Sequence, residues 1–220
     1  MTPLMRRALL AATPLALAVL LLFHPVGGER VYEGIREDAN RWLVVHIGMA
    51  VLAGLVAAAA YTLLRGLPGR AATISRLALA PFTVFFIAWE ATLGIGTGIL
   101  VKHANSLPAG EREPVADAIQ DYFTNPIIGN FSVFATIGNT AWIVAMIAAA
   151  IAFRRAGASR TVTLLIGFSS LFVLHDAGPV GALGLTCFAA AAAVIERSTT
   201  RDVRARGLPA ASATPAPNHA

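Results

Sequence analysis

The chain has 220 residues, 56% of them apolar and 13% charged, with a formal net charge of +5. That balance excludes an ordinary soluble domain, and the apolar residues fall in long runs rather than stripes, which is the membrane signature. The basic residues cluster on the loops of one side, which explains them without nucleic acid, and the single cysteine, Cys187, excludes an intramolecular disulfide or a zinc-finger spacing.

Arg6 and Arg7 precede an apolar run from Ala8 to Phe23. No small-residue cleavage site follows it, so the run is expected to be a retained first span at about 8–23, with Pro14 as a tolerated kink. Residues 29–42 are polar, yet Val31, Ile35, Ala39 and Trp42 recur at helical spacing. They predict a short amphipathic helix lying on the outer membrane surface with Trp42 at headgroup level. The second span is expected at 43–64, where Ala50, Gly54 and Ala58 form a stripe of small residues. A basic loop with Arg65, Arg70 and Arg76 leads to a third span at 77–101, which carries Glu90 near its middle and a Gly94/Gly98 pair.

Residues 104–125 are polar again, and Pro114 is placed at the first position of a second interfacial helix. Its apolar face is read as Val115, Ala118, Ile119, Tyr122 and Phe123. The remaining spans are expected at 127–153, 161–174 and 179–195, followed by a disordered tail at 198–220. The fold class is therefore all-α: a six-span transmembrane helical bundle forming a single membrane domain over residues 1–197. Twelve basic residues fall on the side of the termini and five on the other. By the positive-inside rule both termini are cytoplasmic, in a plasma membrane, and the two amphipathic helices lie on the outer face.

This topology gathers His24, His46, His103 and His175 near the outer boundary. At helical rise the fifth span is only about 21 Å long, against a hydrocarbon core of about 30 Å, so the His175-Asp176 turn is expected to sit sunken in the outer leaflet. His46, His175 and Asp176 are then the floor of an outward-facing pocket, with His103 and His24 at its rim. Neutral imidazoles with a carboxylate suit a transition metal, and two imidazoles suit haem, so these are the candidate cofactors. The same residues also read as ordinary half-wet interfacial histidines.

Glu90 shares a helix face with Thr83, Gly94 and Thr97, and Asn139 matches its depth on the fourth span. These residues read as a proton or cation relay, or as a neutral Glu bonded to a neighbouring helix. Glu90 and His103, thirteen residues apart, are expected to face different neighbours. Three functions follow: a metal- or haem-binding membrane protein, a small proton-coupled transporter using Glu90, or an accessory subunit of a membrane complex. The bilayer is the first partner, and a second membrane protein or a second copy is a further one. No P-loop, dinucleotide fingerprint or GxSxG elbow is present, so no enzyme class is indicated.

Overall fold

A computed structural model describes residues 1–25 and 28–205, with the side chains of residues 3, 176, 177 and 199–205 left out. The described residues form helices and connecting turns with no strand. Five helices are long and apolar enough to cross a membrane: Leu4–Leu21, Ala39–Leu64, Arg70–Asn105, Val133–Arg155 and Pro179–Ser198. The segment expected as the fifth span, 161–174, lies in a shorter apolar helix, Arg160–His175. Their outward faces carry Val44, Val51, Leu55, Leu77, Val84 and Ile147, all exposed. Apolar residues on both the inner and the outer face of a bundle belong in lipid, because in water they would form one large exposed patch.

The first helix is built in three pieces, α1 (Pro3–Arg7), a π-helical turn (Ala8–Ala12) and α2 (Thr13–Leu21). Pro14 has no amide hydrogen to give, so the ladder loosens where it enters and the wider turn absorbs the mismatch. Arg6 is paired with Glu196 at 2.7 Å, which ties the start of this helix to the end of the last one.

A short helix, α3 (Val31–Ile35), precedes α4 (Ala39–Leu64), so Trp42 belongs to the first turns of a spanning helix and not to an interfacial one. The next helix, α5 (Arg70–Trp89), starts seven residues before the expected span. Arg70 and Arg76 lie within it, while Ala71, Ala72 and Ser75 turn inward. Ser75 Oγ donates to the Ala145 carbonyl at 2.7 Å, which fixes the register against α8 (Val133–Arg155). A π stretch, Glu90–Gly96, carries the same rod on into α6 (Thr97–Asn105).

The second polar segment folds as α7 (Ala109–Phe123), with Pro114 inside the helix and not at its first position. Ala116 and Ile119 are buried whereas Ala118 is exposed, so the buried face is rotated from the expected one. Neither α3 nor α7 keeps its apolar face for lipid. Val31, Tyr32, Ile35, Ala39 and Trp42 pack with Val101, Ala104, Ala116 and Ile119 in a second core beyond the main bundle. Arg30 bridges Glu113 and Asp117 at 2.6 Å each, and the Val31 amide donates to Gln120 Oε1 at 3.0 Å. The two helices thus form a folded cap joined to α6.

Residues 124–132 are turns, including 127–132, which were expected to open the fourth span. Asn125 Oδ1 accepts from the amides of Ile127 and Ile128, a side chain bonding its own following backbone. The α8 helix starts at Val133 under the N-cap Ser132 and ends before Gly157, whose φ of +88° lets the chain reverse. Then follow α9 (Arg160–Phe168), a 3₁₀ stretch (Ser169–Ala177) and α10 (Pro179–Ala205), which runs past the expected tail boundary; residues 206–220 lie outside the described set.

The centre of the main core is aromatic: Phe82, Phe86, Trp142 and Phe172 are all at most 1% exposed, with ring centroids 4.7–6.2 Å apart. Trp142 also donates from Nε1 to the Ser169 carbonyl at 2.9 Å, where the α ladder gives way to the 3₁₀ stretch. Trp142→Ala is therefore expected to destabilise the protein by about 3 kcal/mol or more, read as a lowered unfolding midpoint in detergent. Trp142→Phe should lose the hydrogen bond and little packing, about 1 kcal/mol.

Candidate functional site

One cavity of about 240 Å³ lies between the main core and the cap, and it brings together His24, His46, His175 and Glu90. These residues come from four separate parts of the chain, and simple helix arithmetic places them at one level. His24 follows Arg6 and Arg7, His46 precedes Arg65, Glu90 follows Arg70 and His175 follows Arg160. Counted along each helix, every one of the four stands about 26–30 Å from its arginine end. For His175 this holds because the 3₁₀ residues rise about 2.0 Å each instead of 1.5 Å, so the segment is longer than an α-helix of the same count.

The same count locates Glu90 on its rod. With α5 starting at Arg70 rather than residue 77 and the rod running on to Asn105, the carboxylate still stands near the middle of the rod, about 30 Å from its arginine end. There it meets His175: Glu90 Oε1 is 3.7 Å from His175 Nε2, and both side chains are 2% exposed. The π stretch that starts at Glu90 adds residues to the turn and rotates everything beyond it, so a straight α-helix is the wrong frame for relating Glu90 to His103. His103 stays on an exposed face of α6, because Val101 and Ala104 take the buried one. It does not line the cavity.

The wall on the α4 side is a stack. The Trp42 and His46 rings lie 4.2 Å apart at 28°, and His24 sits against His46 at 4.9 Å and against His175 at 6.0 Å. Trp42 Nε1 donates to the Gly94 carbonyl at 2.6 Å. A Cβ at Gly94 would fall 2.1 Å from His46 Cδ2, so the stack rests directly on glycine backbone. Opposite, Trp89 donates from Nε1 to the Gly129 carbonyl at 2.9 Å, pinning the 124–132 turns over the cavity. Gly181 plays a similar part for His175, whose Cα would stand 2.8 Å from a Cβ there.

Two of the imidazoles have their tautomer set by the backbone. His46 Nδ1 stands 2.8 Å from the Trp42 carbonyl and His24 Nδ1 stands 2.9 Å from the Pro25 carbonyl. A carbonyl only accepts, so in both rings the Nδ1 carries the hydrogen and a neutral ring then has its lone pair on Nε2. His175 is packed on Phe86 and Trp89 with centroids 5.6 and 5.2 Å away. Above the cavity, Tyr122 donates to the Thr92 carbonyl at 2.6 Å, and partial burial raises its phenol pKa, keeping it the donor.

Of the residues grouped by sequence, His24, His46, His175 and Glu90 converge, and the side chain of Asp176 lies outside the described residues. Thr83, Thr97 and Asn139 of the relay set do not line the cavity with Glu90. Thr83 donates to Leu79 O of its own helix, and Thr97 Oγ1 and Asn139 Oδ1 are buried with no hydrogen-bond partner among the described residues. Trp42, Trp89 and Phe123 line the cavity too, and sequence reasoning had assigned them only interfacial roles or none. The available signal was their spacing: Trp42 is four residues before His46 and Trp89 adjoins Glu90. Among the described residues no group of three or more His, Cys, Asp and Glu side chains is arranged to hold a metal ion. Comparison of the chain with protein-family models, with curated proteins and with solved structures returns no match.

Gly94→Ala should force His46 and Trp42 off their seat. The expected result is a lowered unfolding midpoint and a red-shifted tryptophan emission, whereas Gly110→Ala, with nothing within 4 Å of the added carbon, should leave both unchanged.

Proposed function

We propose that the protein is a small proton-coupled carrier of the plasma membrane, with the His175–Glu90 pair as its proton-binding site. In this reading all six apolar helices cross the bilayer, including the short Arg160–His175 segment. The arginine-rich end, with both termini, faces the cytoplasm, and the cap faces outward. The observation that carries the proposal is the pair itself: an imidazole and a carboxylate 3.7 Å apart, both buried, at the wall of a cavity. Ionisable groups at such a depth in a membrane protein are costly, and where they face a cavity they mark proton and ion pathways. His24 and His46 share the same cavity, so two further imidazoles stand beside the pair as proton acceptors.

The other functions expected from sequence have less support. A cavity of about 240 Å³ falls below the roughly 300–1,000 Å³ of pockets for drug-sized ligands, and haem is larger than those ligands. A transition metal would need the imidazoles to regroup, since the described side chains are not arranged around one point. An accessory role would rest on faces that serve equally well against lipid.

Reconstitution into liposomes with an imposed pH gradient tests the carrier. Wild-type protein should dissipate the gradient, and Glu90→Gln and His175→Asn should each slow that flux by about 100-fold, the scale of a lost proton-transfer group. Unchanged flux in both variants, each shown to be folded by its melting curve, would overturn the proposal.

A further inference from the structure

We infer that the cavity takes a small organic ammonium ion, the cation for which the proton is exchanged; this rests on the carrier reading above. The first ground is charge. Glu90 puts a carboxylate into a cavity whose other titratable described groups are His24, His46 and His175, each neutral in its unprotonated form. A cation is therefore the complement when the imidazoles are unprotonated, and protonation of the pair removes that complement. The second ground is the walls. Trp42, Trp89 and Phe123 line the cavity, and both indole N–H groups are turned away into backbone carbonyls, at Gly94 and Gly129. The hydrogen-bonding end of each indole is thereby spent on the fold, and what is left for a ligand is aromatic carbon surface.

Aromatic carbon beside one buried carboxylate suits a cation that is itself clothed in carbon. The ring quadrupoles attract the charge and the methyl or methylene groups fill the apolar wall. A strongly hydrated inorganic ion would lose its water against carbon and gain few oxygen ligands, and the described side chains form no metal-holding group. Size agrees: about 240 Å³ holds a molecule of several heavy atoms with some water, not a bare ion alone. The exchange balances simply. One ammonium ion enters next to the Glu90 carboxylate and one proton leaves the Glu90–His175 pair for the outer solution; no bond other than the one to that proton is broken.

The test is equilibrium binding to the purified full-length protein in mild detergent, using choline and its neutral isostere 3,3-dimethylbutan-1-ol. Choline should bind saturably and about tenfold or more tighter than the neutral compound. Glu90→Gln should remove that preference. Phe123→Leu, which keeps apolar bulk while deleting a ring at the end of α7, should weaken choline and leave the isostere unchanged, and it preserves the test if the Glu90 variant does not fold. Equal affinity for the two compounds, or no saturable choline binding up to about 10 mM, would overturn the inference. Choline binding without choline-driven proton flux in liposomes would overturn the carrier reading and leave the ligand class standing. Proton flux without choline binding would do the reverse.

Discussion

The arrangement of the site depends on one close approach, that of the α4 stack to the backbone at Gly94. His46 and Trp42 can face the cavity only because there is no side chain at 94, and the Trp42 indole is locked there by its bond to the Gly94 carbonyl. That contact joins two structures that would otherwise be independent. Below it lies the aromatic core around Phe82, Phe86 and Trp142; beyond it lies the cap of α3, α6 and α7, which uses Trp42 as part of its own core. The cavity is the gap left where these two cores meet. Its walls are therefore set by packing on both sides, and two of its imidazoles and both its indoles are held by backbone carbonyls.

A second constraint is length. Four helical segments measured from their arginines bring His24, His46, Glu90 and His175 to the same height, although they differ in secondary structure on the way. One contains a π turn before Pro14 and one ends in a 3₁₀ run. These irregular stretches adjust rise and rotation where a regular helix would miss. The 3₁₀ run between Ser169 and Ala177 lets a segment too short for an ordinary span reach the level of its neighbours, with Trp142 bonded at its start.

Much of this was legible in the sequence, and the misses have identifiable causes. The apolar runs located the long helices, and the spacing of Val31, Ile35, Ala39 and Trp42 identified a buried face, all four being buried. What periodicity cannot say is what a face is buried against, so α3 and α7 read as lying on lipid when they pack on each other and on α6. Ends were misplaced for local reasons. Arg70 and Arg76 suggested a loop because charge dominates a short window, yet Ala71, Ala72 and Ser75 between them make a good inward face. Ile127, Ile128 and Phe131 suggested a span, but the Asn125 side chain captures the following amides and holds a turn. The largest miss concerned Glu90. It was matched to Asn139 by depth, whereas its carboxylate stands beside His175, which the 3₁₀ end of the neighbouring segment carries.

That π stretch also sets the kind of variation the site can absorb. Residues 90–96 hold more chain per turn than an α-helix, and everything beyond, including the α6 surface on which the cap is built, inherits the resulting rotation. Removing one residue there would let the segment revert to ordinary pitch with the downstream face nearly in place, whereas removing one from the regular helix before it would swing that face by about 100°. In the second case Trp42 would lose its carbonyl and the cap its footing together, with no residue in the cavity having been altered. The stretch between Trp89 and Thr97 is thus where this rod tolerates a change of length. A chain built this way can drift in side chains along its lipid faces, but the regular helix leading to Glu90 cannot gain or lose a residue.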